Sequence, residues 1–569
     1  MTTNLPDLVK TLYGRDLGFL KITAQLWGMD LDMPDSRQGL SRLVESLLVR
    51  GTVTNEISNL PEPASAALRD LQQNGGQLSW AVFTRWYGEV REMGAARRDR
   101  EKPYLDENAA PAEALYYRAL IGKAFFETPS GPEEFAYIPG DLFELMPVLS
   151  AIQPKALGRL ASHAETSYLM PARDWIVDDA CTLLAALRTG IAIDTILPFL
   201  RTNDSQHPIP YPLLPDLLKR LLATAGLIDE EGMPLPEPTR LLLEAPRGEA
   251  LAMLARAWQE SAEFNELRLL PGLVAEGSWQ NDPLRTRQEI LKFVSMAVEG
   301  GFVQFESFLT DVKETYPDFQ RPAGDYDSWH LRDTASGEYL RGFKHWDDVD
   351  GELIRFIIAG PMNWLGMVEL AAYDAPPLGE TASIRAFRLS SWAGELLSGK
   401  APQTIKEKDE KISVKSNGEI LVSVAASRAA RYQTARFCDW EKFSRDSFHF
   451  QITPNSLSRA QQQGLRASLL IALLQRYAKA IPPNLLKAVE RWEDHGSQAH
   501  LEQLVVLRTG NAEMLQALRN SPTARFLGDP LGPTSIAIKP GAVDKVRAAL
   551  VEMGYLVDIK ELRMEGTQR

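Results

Sequence analysis

The amino-acid sequence predicts an α+β protein that is mainly α-helical. Apolar residues recur at helical spacing along most of the 569-residue chain, as they do at Leu40, Leu43, Val44, Leu47 and Leu48. Short β-prone runs between glycine and proline turns are fewer and are confined to a few places. At roughly 150 residues per domain the chain is long enough for about four domains. We therefore expect an array of domains.

The composition excludes several classes of protein. Hydrophobic residues make up 44% of the chain and charged residues 24%, as in ordinary globular proteins, which excludes a fibre, a membrane bundle and a disordered chain. The two cysteines, Cys181 and Cys438, are too few and too far apart for a disulfide framework or a cysteine zinc site. The first residues are not predicted to form a signal peptide, and no segment is predicted to span a bilayer. We expect a cytoplasmic protein without a membrane partner.

Charge is distributed unevenly along the chain. The formal net charge is -13, but residues 401–569 hold 24 lysines and arginines against 18 acidic residues. Residues 1–400 therefore carry a net charge of -19. Because contact with phosphates needs a positive face, we expect any nucleic acid to contact the C-terminal third, and a protein partner to contact the acidic remainder.

Residues 1–141 are predicted to form a helical domain that ends in a hairpin. A helix is predicted from Gln77 to Gly94 and another from Pro111 to Ile121. Two β-prone runs then follow, Ala124–Glu127 and Phe135–Ile138, joined by a Pro-Ser-Gly-Pro turn. Helices followed by a two-stranded hairpin is the order of a winged helix.

A similar order recurs in residues 281–397. A helix, the short strand Val303–Gln304 and a second helix precede an acidic insertion, and helical turns from Gly351 to Ala372 and a wing strand at Ile384–Leu389 follow it. We predict a second winged-helix-like domain here. The residues between, 142–280, are predicted as a helical middle region, with helices at Ala172–Thr189, Tyr211–Gly226 and Glu249–Phe264.

The C-terminal part is predicted as a separate α+β domain. Residues 398–411 carry mixed charges without apolar periodicity and are predicted as a linker. Residues 412–562 form the predicted domain, and 563–569 a tail. Its expected strands are Glu419–Ala425, Phe448–Thr453, Leu504–Arg508, Ser535–Ile538 and Tyr555–Ile559, with an irregular basic stretch after the first and helices at Pro454–Gln463, Arg466–Ala480, Pro483–His495 and Gly541–Met553.

No motif for catalysis, a cofactor or a metal is complete. Residues 394–401 have the glycine and lysine spacing of a Walker A motif, but Ala401 lacks the hydroxyl that would bind magnesium and Pro402 follows it. Acidic residues crowd between Asp325 and Asp350 without the pattern of an EF-hand. They are interpreted as solvated turns and helix caps, with a metal site or an acidic docking face as alternatives. We expect a protein that is not an enzyme and has no cofactor.

Two clusters of basic residues are the candidate nucleic-acid contacts. Both can neutralise phosphates, and a solvated surface is the alternative for each. Asp99 and Glu101 interleave the first cluster and weaken its field. The first cluster, beside the first winged-helix candidate, is Arg97, Arg98, Arg100 and Lys102; the second, in the C-terminal domain, is Arg428, Arg431 and Arg436.

Several C-terminal motifs resemble the helicase-associated domain that precedes the motor in XPB-type helicases. They are Gly418–Val424, Phe450–Ala460, Ile481–Leu485, Arg491-Trp492, Pro540–Leu550 and Gly554-Tyr555. Upstream motifs, among them Gly324–Trp329 and Gly360–Gly366, are similar to those of bacterial stand-alone proteins that carry this domain behind winged helices and lack the helicase motor.

The resemblance implies a binding role. In the eukaryotic transcription and repair factor, a similar arrangement belongs to the subunit that clasps and stimulates the XPB motor. The partners implied are therefore DNA, held by the winged helices and the basic C-terminal face, and an XPB-type helicase, whose homologous domain would pair with this one. The alternative is a protein–protein interaction scaffold that makes no contact with DNA.

Overall fold

The fold is α+β and mainly α-helical, as predicted. The chain divides into two compact units, Met1–Leu485 and Leu486–Arg569. The computed structural model describes residues 5–30, 35–91, 93–106, 109–128, 131–149, 156–201, 215–321, 324–375, 383–444, 446–499 and 504–558.

The first region, up to residue 149, has its own hydrophobic core. Leu8, Leu43, Phe83, Leu115 and Leu120 are fully buried in it. Its elements are α1 (Leu8–Leu12), α2 (Leu17–Leu26), α3 (Ser36–Leu47), α4 (Arg50–Ser58), α5 (Glu62–Gln73), β1 (Gln77–Ser79), α6 (Trp80–Tyr87), α7 (Ala95–Glu101), α8 (Pro111–Tyr117), β2 (Gly122–Thr128), β3 (Gly131–Tyr137) and α9 (Gly140–Leu145).

The hairpin predicted near the end of this region is confirmed. Strands β2 and β3 pair antiparallel, with Gly122 opposite Tyr137. The helix predicted to begin at Gln77 begins instead at Trp80, because Gln77–Ser79 pairs with β3 as β1. The sheet order is β1-β3-β2. Strand β1 lies between α5 and α6 in the chain, and β2 and β3 follow α8.

The middle region is helical, with ends that differ by a few residues from those predicted. Helix α10 is buried along most of its length, as expected for a helix that is apolar on nearly all sides. Residues 211–214 of one predicted helix lie outside the described residues. The elements are β4 (Tyr168–Met170), α10 (Ile176–Thr189), α11 (Pro215–Thr224), α12 (Pro236–Glu244), α13 (Arg247–Glu260), α14 (Glu266–Leu269) and β5 (Leu273–Glu276).

The region that follows repeats the order of the first. A helix, a strand and a helix precede an insertion, and a third helix and two strands follow it. The elements are α15 (Pro283–Ser295), β6 (Val303–Gln304), α16 (Phe305–Thr315), β7 (His330–Asp333), α17 (Glu352–Ile357) flanked by the π-helical segments Asp347–Gly351 and Ile358–Met362, β8 (Val368–Ala372), β9 (Ile384–Leu389) and α18 (Ala393–Leu397). The predicted strand at Ile384–Leu389 is confirmed. The sheet order is β4-β8-β9-β6.

The last part of the first unit is built on a second four-stranded sheet, ordered β10-β11-β13-β12. The predicted linker does not stand apart from it, because Glu407 binds Arg428 and the backbone N–H of Glu410 donates to the Ala425 carbonyl oxygen at 3.0 Å. The elements are β10 (Ser413–Val414), β11 (Glu419–Ser423), α19 (Arg428–Phe437), β12 (Asp439–Ser444), β13 (Ser447–Gln451), α20 (Pro454–Gln462) and α21 (Ala467–Tyr477).

The second unit has a small core of its own. Leu518, Val546 and Leu550 lie at its centre. Helix α22 (Pro483–His495) crosses the boundary between the units, and the remaining elements are β14 (Val505–Arg508), α23 (Ala512–Arg519), β15 (Leu527–Gly532), β16 (Ser535–Ile538) and α24 (Val543–Glu552), with sheet order β14-β16-β15.

The strand predicted at Tyr555–Ile559 is wrong for residues 555–558, which form no strand; Ile559 lies outside the described residues. Leu556 is 93% exposed, and Val557 packs against the core of the second unit without pairing with a strand. Among the described residues, no helix combines the length and the apolar character needed to cross a membrane.

Candidate nucleic-acid and helicase interface

The first basic cluster lies on α7, in the connection between α6 and α8. Arg98 is its inward member: it is 4% exposed, and its two terminal nitrogens donate to the Asp16 carboxylate at 2.7 and 2.8 Å. These hydrogen bonds lower the pKa of Asp16 to about 2. Asp16 also caps α2, accepting from the Phe19 N–H. Arg98 therefore anchors α7 to the start of α2.

The other three cations of this cluster face solvent. The side chains of Arg97 and Arg100 are 62% and 76% exposed, and both lie beside the single carboxylate of Glu101. Lys102 is exposed at the end of the helix, with a left-handed φ of 47°. This surface has three exposed cations, and the neighbouring carboxylates Asp99 and Glu101 reduce its positive field.

The second basic cluster lies on α19, a helix in a stretch predicted to be irregular. Arg428 and Arg431 are each 3% exposed. Arg428 Nη1 donates to Glu407 Oε1 at 3.0 Å, and Arg431 Nη1 donates to Asp178 Oδ1 at 3.2 Å. Burying these two arginines on the inward face breaks the apolar periodicity by which a helix is recognised. Neither guanidinium is presented to a phosphate in this structure.

Asp178 is the centre of a buried charge network. It lies on α10 with no exposed surface, and three arginines bind its carboxylate: Arg201 Nη1 at 2.6 Å, Arg247 Nη2 at 2.6 Å and Arg431. Burial opposes the ionisation of Asp178, but the surrounding guanidiniums outweigh it and hold the pKa below its ordinary value. We call these four residues the Asp178 hub.

The hub joins the middle region to the C-terminal part of the first unit. A buried carboxylate is tolerated only with charged partners, so all four residues depend on one another. Sequence reasoning missed this arrangement because Asp178 and Arg431 are 253 positions apart. The available signal was an aspartate pair, Asp178 and Asp179, inside an otherwise apolar helix.

Arg436 is the third predicted residue of the α19 cluster, and its environment differs. It is half-buried and donates to the Gln433 side chain at 3.0 Å. No carboxylate among the described residues pairs with it. The three arginines of this cluster therefore do not form one surface.

A set of exposed cations that the sequence reasoning missed lies at the edge of the same sheet. Ile412 and Ala478 form a parallel bridge, which brings together the side chains that flank them. Lys411 Nζ donates to the Arg476 carbonyl oxygen at 3.3 Å, and Lys479 N donates to the Ile412 carbonyl oxygen at 3.0 Å. Lys411, Arg476 and Lys479 are exposed and are called the basic edge.

The acidic residues of the insertion do not form a metal centre. Asp325 and Asp333 accept hydrogen bonds from turn residues that follow them, as the solvated-turn interpretation predicts. Asp350 departs from that interpretation, because it is buried and bound by Arg321 and Gln320. Throughout the described ranges, no three histidine, cysteine or acidic side chains are grouped so that they could hold a metal ion.

Residues 412–529 match the family model described as the helicase conserved C-terminal domain. No curated protein matches the chain. The matched segment includes α19, the sheet β10-β11-β13-β12 and two of the three cations of the basic edge, Arg476 and Lys479. The match ties residues 412–529, well under half of the chain, to the helicase family.

Proposed function

We propose that this protein is a non-catalytic, helicase-associated protein that pairs with an XPB-type helicase. The observation that carries the proposal is the helicase-family match at residues 412–529 in a chain whose nearest approach to a Walker A motif ends in Ala401-Pro402. We assign residues 412–562 as a domain like the N-terminal domain of XPB. In this proposal the protein acts in the cytoplasm and supplies binding energy to a motor on another chain.

The two helical regions upstream are proposed to be winged helices. Apart from α7 in the first region and the insertion that holds β7 in the later one, each has the order helix, strand, helix, helix, strand, strand. In each region the first of these strands pairs with the last. In three-helix variants of the helix-turn-helix, such as the homeodomain, the third helix is the one that enters the major groove of DNA. Here α8 contains no lysine or arginine, and Glu113 on it binds Arg91 at 2.6 Å. The third helix of the later region is buried at every position except Glu352. These features favour protein partners for both regions.

DNA contact is the second candidate function, and the basic edge favours it. Lys411, Arg476 and Lys479 are exposed cations without a carboxylate partner in the part of the chain that the structure describes. Each phosphate that a protein neutralises adds about 0.9 to the slope of log affinity against log salt. A protein scaffold without DNA contact remains the alternative, and would show no such slope.

Sedimentation of the full chain with an XPB-type helicase from the same genome tests the main proposal. We expect a one-to-one complex at micromolar concentrations, and independent sedimentation of the two proteins would contradict it. ATP turnover by the pure protein, with and without DNA, is expected to be absent.

A salt titration of binding to short duplexes tests the second function. We expect the variant K411Q/R476Q/K479Q to lower the salt slope by about 0.9 for each phosphate that the substituted side chains no longer neutralise. The variant K21Q/R42Q/R50Q removes the same charge from exposed positions of the first region and serves as the control. Equal slopes for the two variants would exclude the basic edge as a DNA contact.

A further inference from the structure

A cavity of about 280 Å³ lies where α19 meets the middle region. The end of α10, the helix α12 and a face of α19 form its walls. Helix α19 belongs to the segment that matches the helicase family, whereas α10 and α12 do not. The cavity is therefore bounded by two parts of the chain, as many ligand sites are. Its charged side chains are Arg188, Glu237, Arg240, Glu244 and Arg436.

Arg436 reaches this cavity with hydrogen-bonding capacity unused. A guanidinium has five N–H donors. Nη1 of Arg436 donates to Gln433 Oε1 at 3.0 Å, whereas its Nε is buried and has no hydrogen-bond partner. The guanidinium carbon lies 5.8 Å from the centre of the Tyr432 ring, and Tyr432 is itself buried. The side chain is thus held in place by packing, while its charge is not neutralised.

Arg188 adds a second cation from the last turn of α10. No carboxylate among the described residues pairs with it. Burial lowers the pKa of Arg436, and the nearby charge of Arg188 lowers it further. The third arginine, Arg240, is neutralised, because it binds Glu237 at 2.9 Å and Glu244 at 2.7 Å. Three arginines against two glutamates give the cavity a net charge of +1, and the arginines without a carboxylate partner among the described residues are Arg188 and Arg436.

We propose that this cavity binds a phosphate group between Arg188 and Arg436. Guanidiniums bind phosphates through paired N–H donors, and an anion here would accept from the terminal N–H donors of Arg436 that Gln433 leaves unused and would lie between two like charges. The volume lies at the lower limit of ligand pockets, about 300 Å³, which suits a small anion. The phosphate comes either from a free anion such as phosphate or pyrophosphate, or from the phosphorylated end of a nucleic acid. The site goes beyond the helicase-binding proposal and does not depend on it.

Isothermal titration calorimetry of the full chain at constant ionic strength tests the site. The probes are inorganic phosphate, pyrophosphate, and one oligonucleotide with a 5′-phosphate and again with a 5′-hydroxyl. We expect R188Q and R436Q each to weaken binding about tenfold, because each removes one charge-assisted hydrogen-bonding partner of the anion. R50Q removes an exposed arginine from the first region and is expected to leave binding unchanged.

The outcomes separate the two sources of phosphate. Arginine-dependent binding of phosphate or pyrophosphate identifies a free anion, and arginine-dependent binding of the 5′-phosphorylated oligonucleotide alone identifies a nucleic-acid end. The proposal is overturned if no probe binds, or if binding persists in R188Q/R436Q. Arg188 has no hydrogen-bonded partner among the described residues, so R188Q provides a test even if R436Q fails to fold.

Discussion

The basic clusters on α7 and α19 look alike in the sequence and differ in the folded chain. On α7 one arginine, Arg98, turns inward to Asp16, and the other cations face solvent. On α19 two of three arginines turn inward, and one of them reaches the fully buried Asp178. The basic cluster on α7 is thus mainly a solvent-exposed surface, whereas the cluster on α19 mainly forms buried contacts between regions of the chain.

The difference lies in what packs against each helix. α7 contacts α2, where Asp16 is half-exposed and can be solvated without Arg98. α19 packs along α10, where Asp178 has no access to water and needs its arginines. The burial of the acidic partner, more than the number of cations, decides whether an arginine is available to an external ligand.

The largest decrease in stability is expected from removing Asp178, the buried carboxylate of α10 that binds Arg431 of α19. Asp178→Ala leaves Arg201, Arg247 and Arg431 without a shared carboxylate, and stranding a buried charge costs about 3–5 kcal/mol. Urea unfolding measures this decrease in stability. Glu237→Ala, which removes an exposed partner of Arg240, is the control and is expected to cost under about 1 kcal/mol. Similar decreases for both variants would show that the buried ion pairs of the Asp178 hub contribute no more to stability than an exposed ion pair does.

Substitutions within α19 itself are expected to decrease stability by a smaller amount. Arg431→Ala removes two hydrogen bonds to Asp178 but leaves two other arginines on that carboxylate, so we expect a cost of about 1–3 kcal/mol. Arg436→Ala removes a side chain that has no acidic partner in the described ranges, and we expect less than about 1 kcal/mol. If Arg436→Ala lowered the free energy of unfolding in urea more than Arg431→Ala, the assignment of Arg431 as the ion-paired arginine and Arg436 as the unpaired one would be wrong.

The stability contributed by the ion pair of Arg98 on α7 with Asp16 is expected to depend on pH. The pKa of Asp16 falls from 3.8 to about 2 in the folded chain, so its contribution to stability is complete above about pH 4 and is lost as the pH falls toward 2. Without Arg98 most of this contribution should be lost, while the backbone N–H of Phe19 still stabilises the carboxylate. We expect Arg98→Ala to flatten the pH dependence of the urea midpoint between pH 4 and 2. An unchanged profile would mean that Arg98 does not hold this carboxylate.

The smallest effect on stability is expected from the exposed members of α7. Arg97→Gln and Arg100→Gln remove ion pairs that water screens, and each is expected to change stability by less than about 0.5 kcal/mol. Thermal unfolding of both variants measures this. A decrease comparable to that of Asp178→Ala would remove the contrast between the two helices.

Local patterns predict much of the fold. The hairpin of β2 and β3, the strand β9 and the helix at Pro483–His495 are recognisable from alternation, turn residues and helical spacing. Two elements, β1 and α19, are not recognisable from such local patterns. Strand β1 forms because β3 offers an edge to pair with, and α19 carries buried arginines whose partners come from a distant helix. Such tertiary causes leave no short-range pattern.

The candidate sites are less predictable than the fold. Counting lysines and arginines places the positive excess in residues 401–569, but the count does not distinguish the buried Arg431 from the exposed Arg476. The basic edge depends on a bridge between Ile412 and Ala478, and the cavity depends on Arg188 and Arg436 meeting across two regions. These pairings are set by packing, so spacing in the sequence could not indicate them.

The proposed helicase-associated role is tested most directly by the ATP hydrolysis rate of an XPB-type helicase titrated with this protein. We predict no turnover by the protein alone and a change in the helicase rate that reaches a plateau at one equivalent. Turnover by the protein alone, or a helicase rate that stays constant over the whole titration, would contradict the proposal.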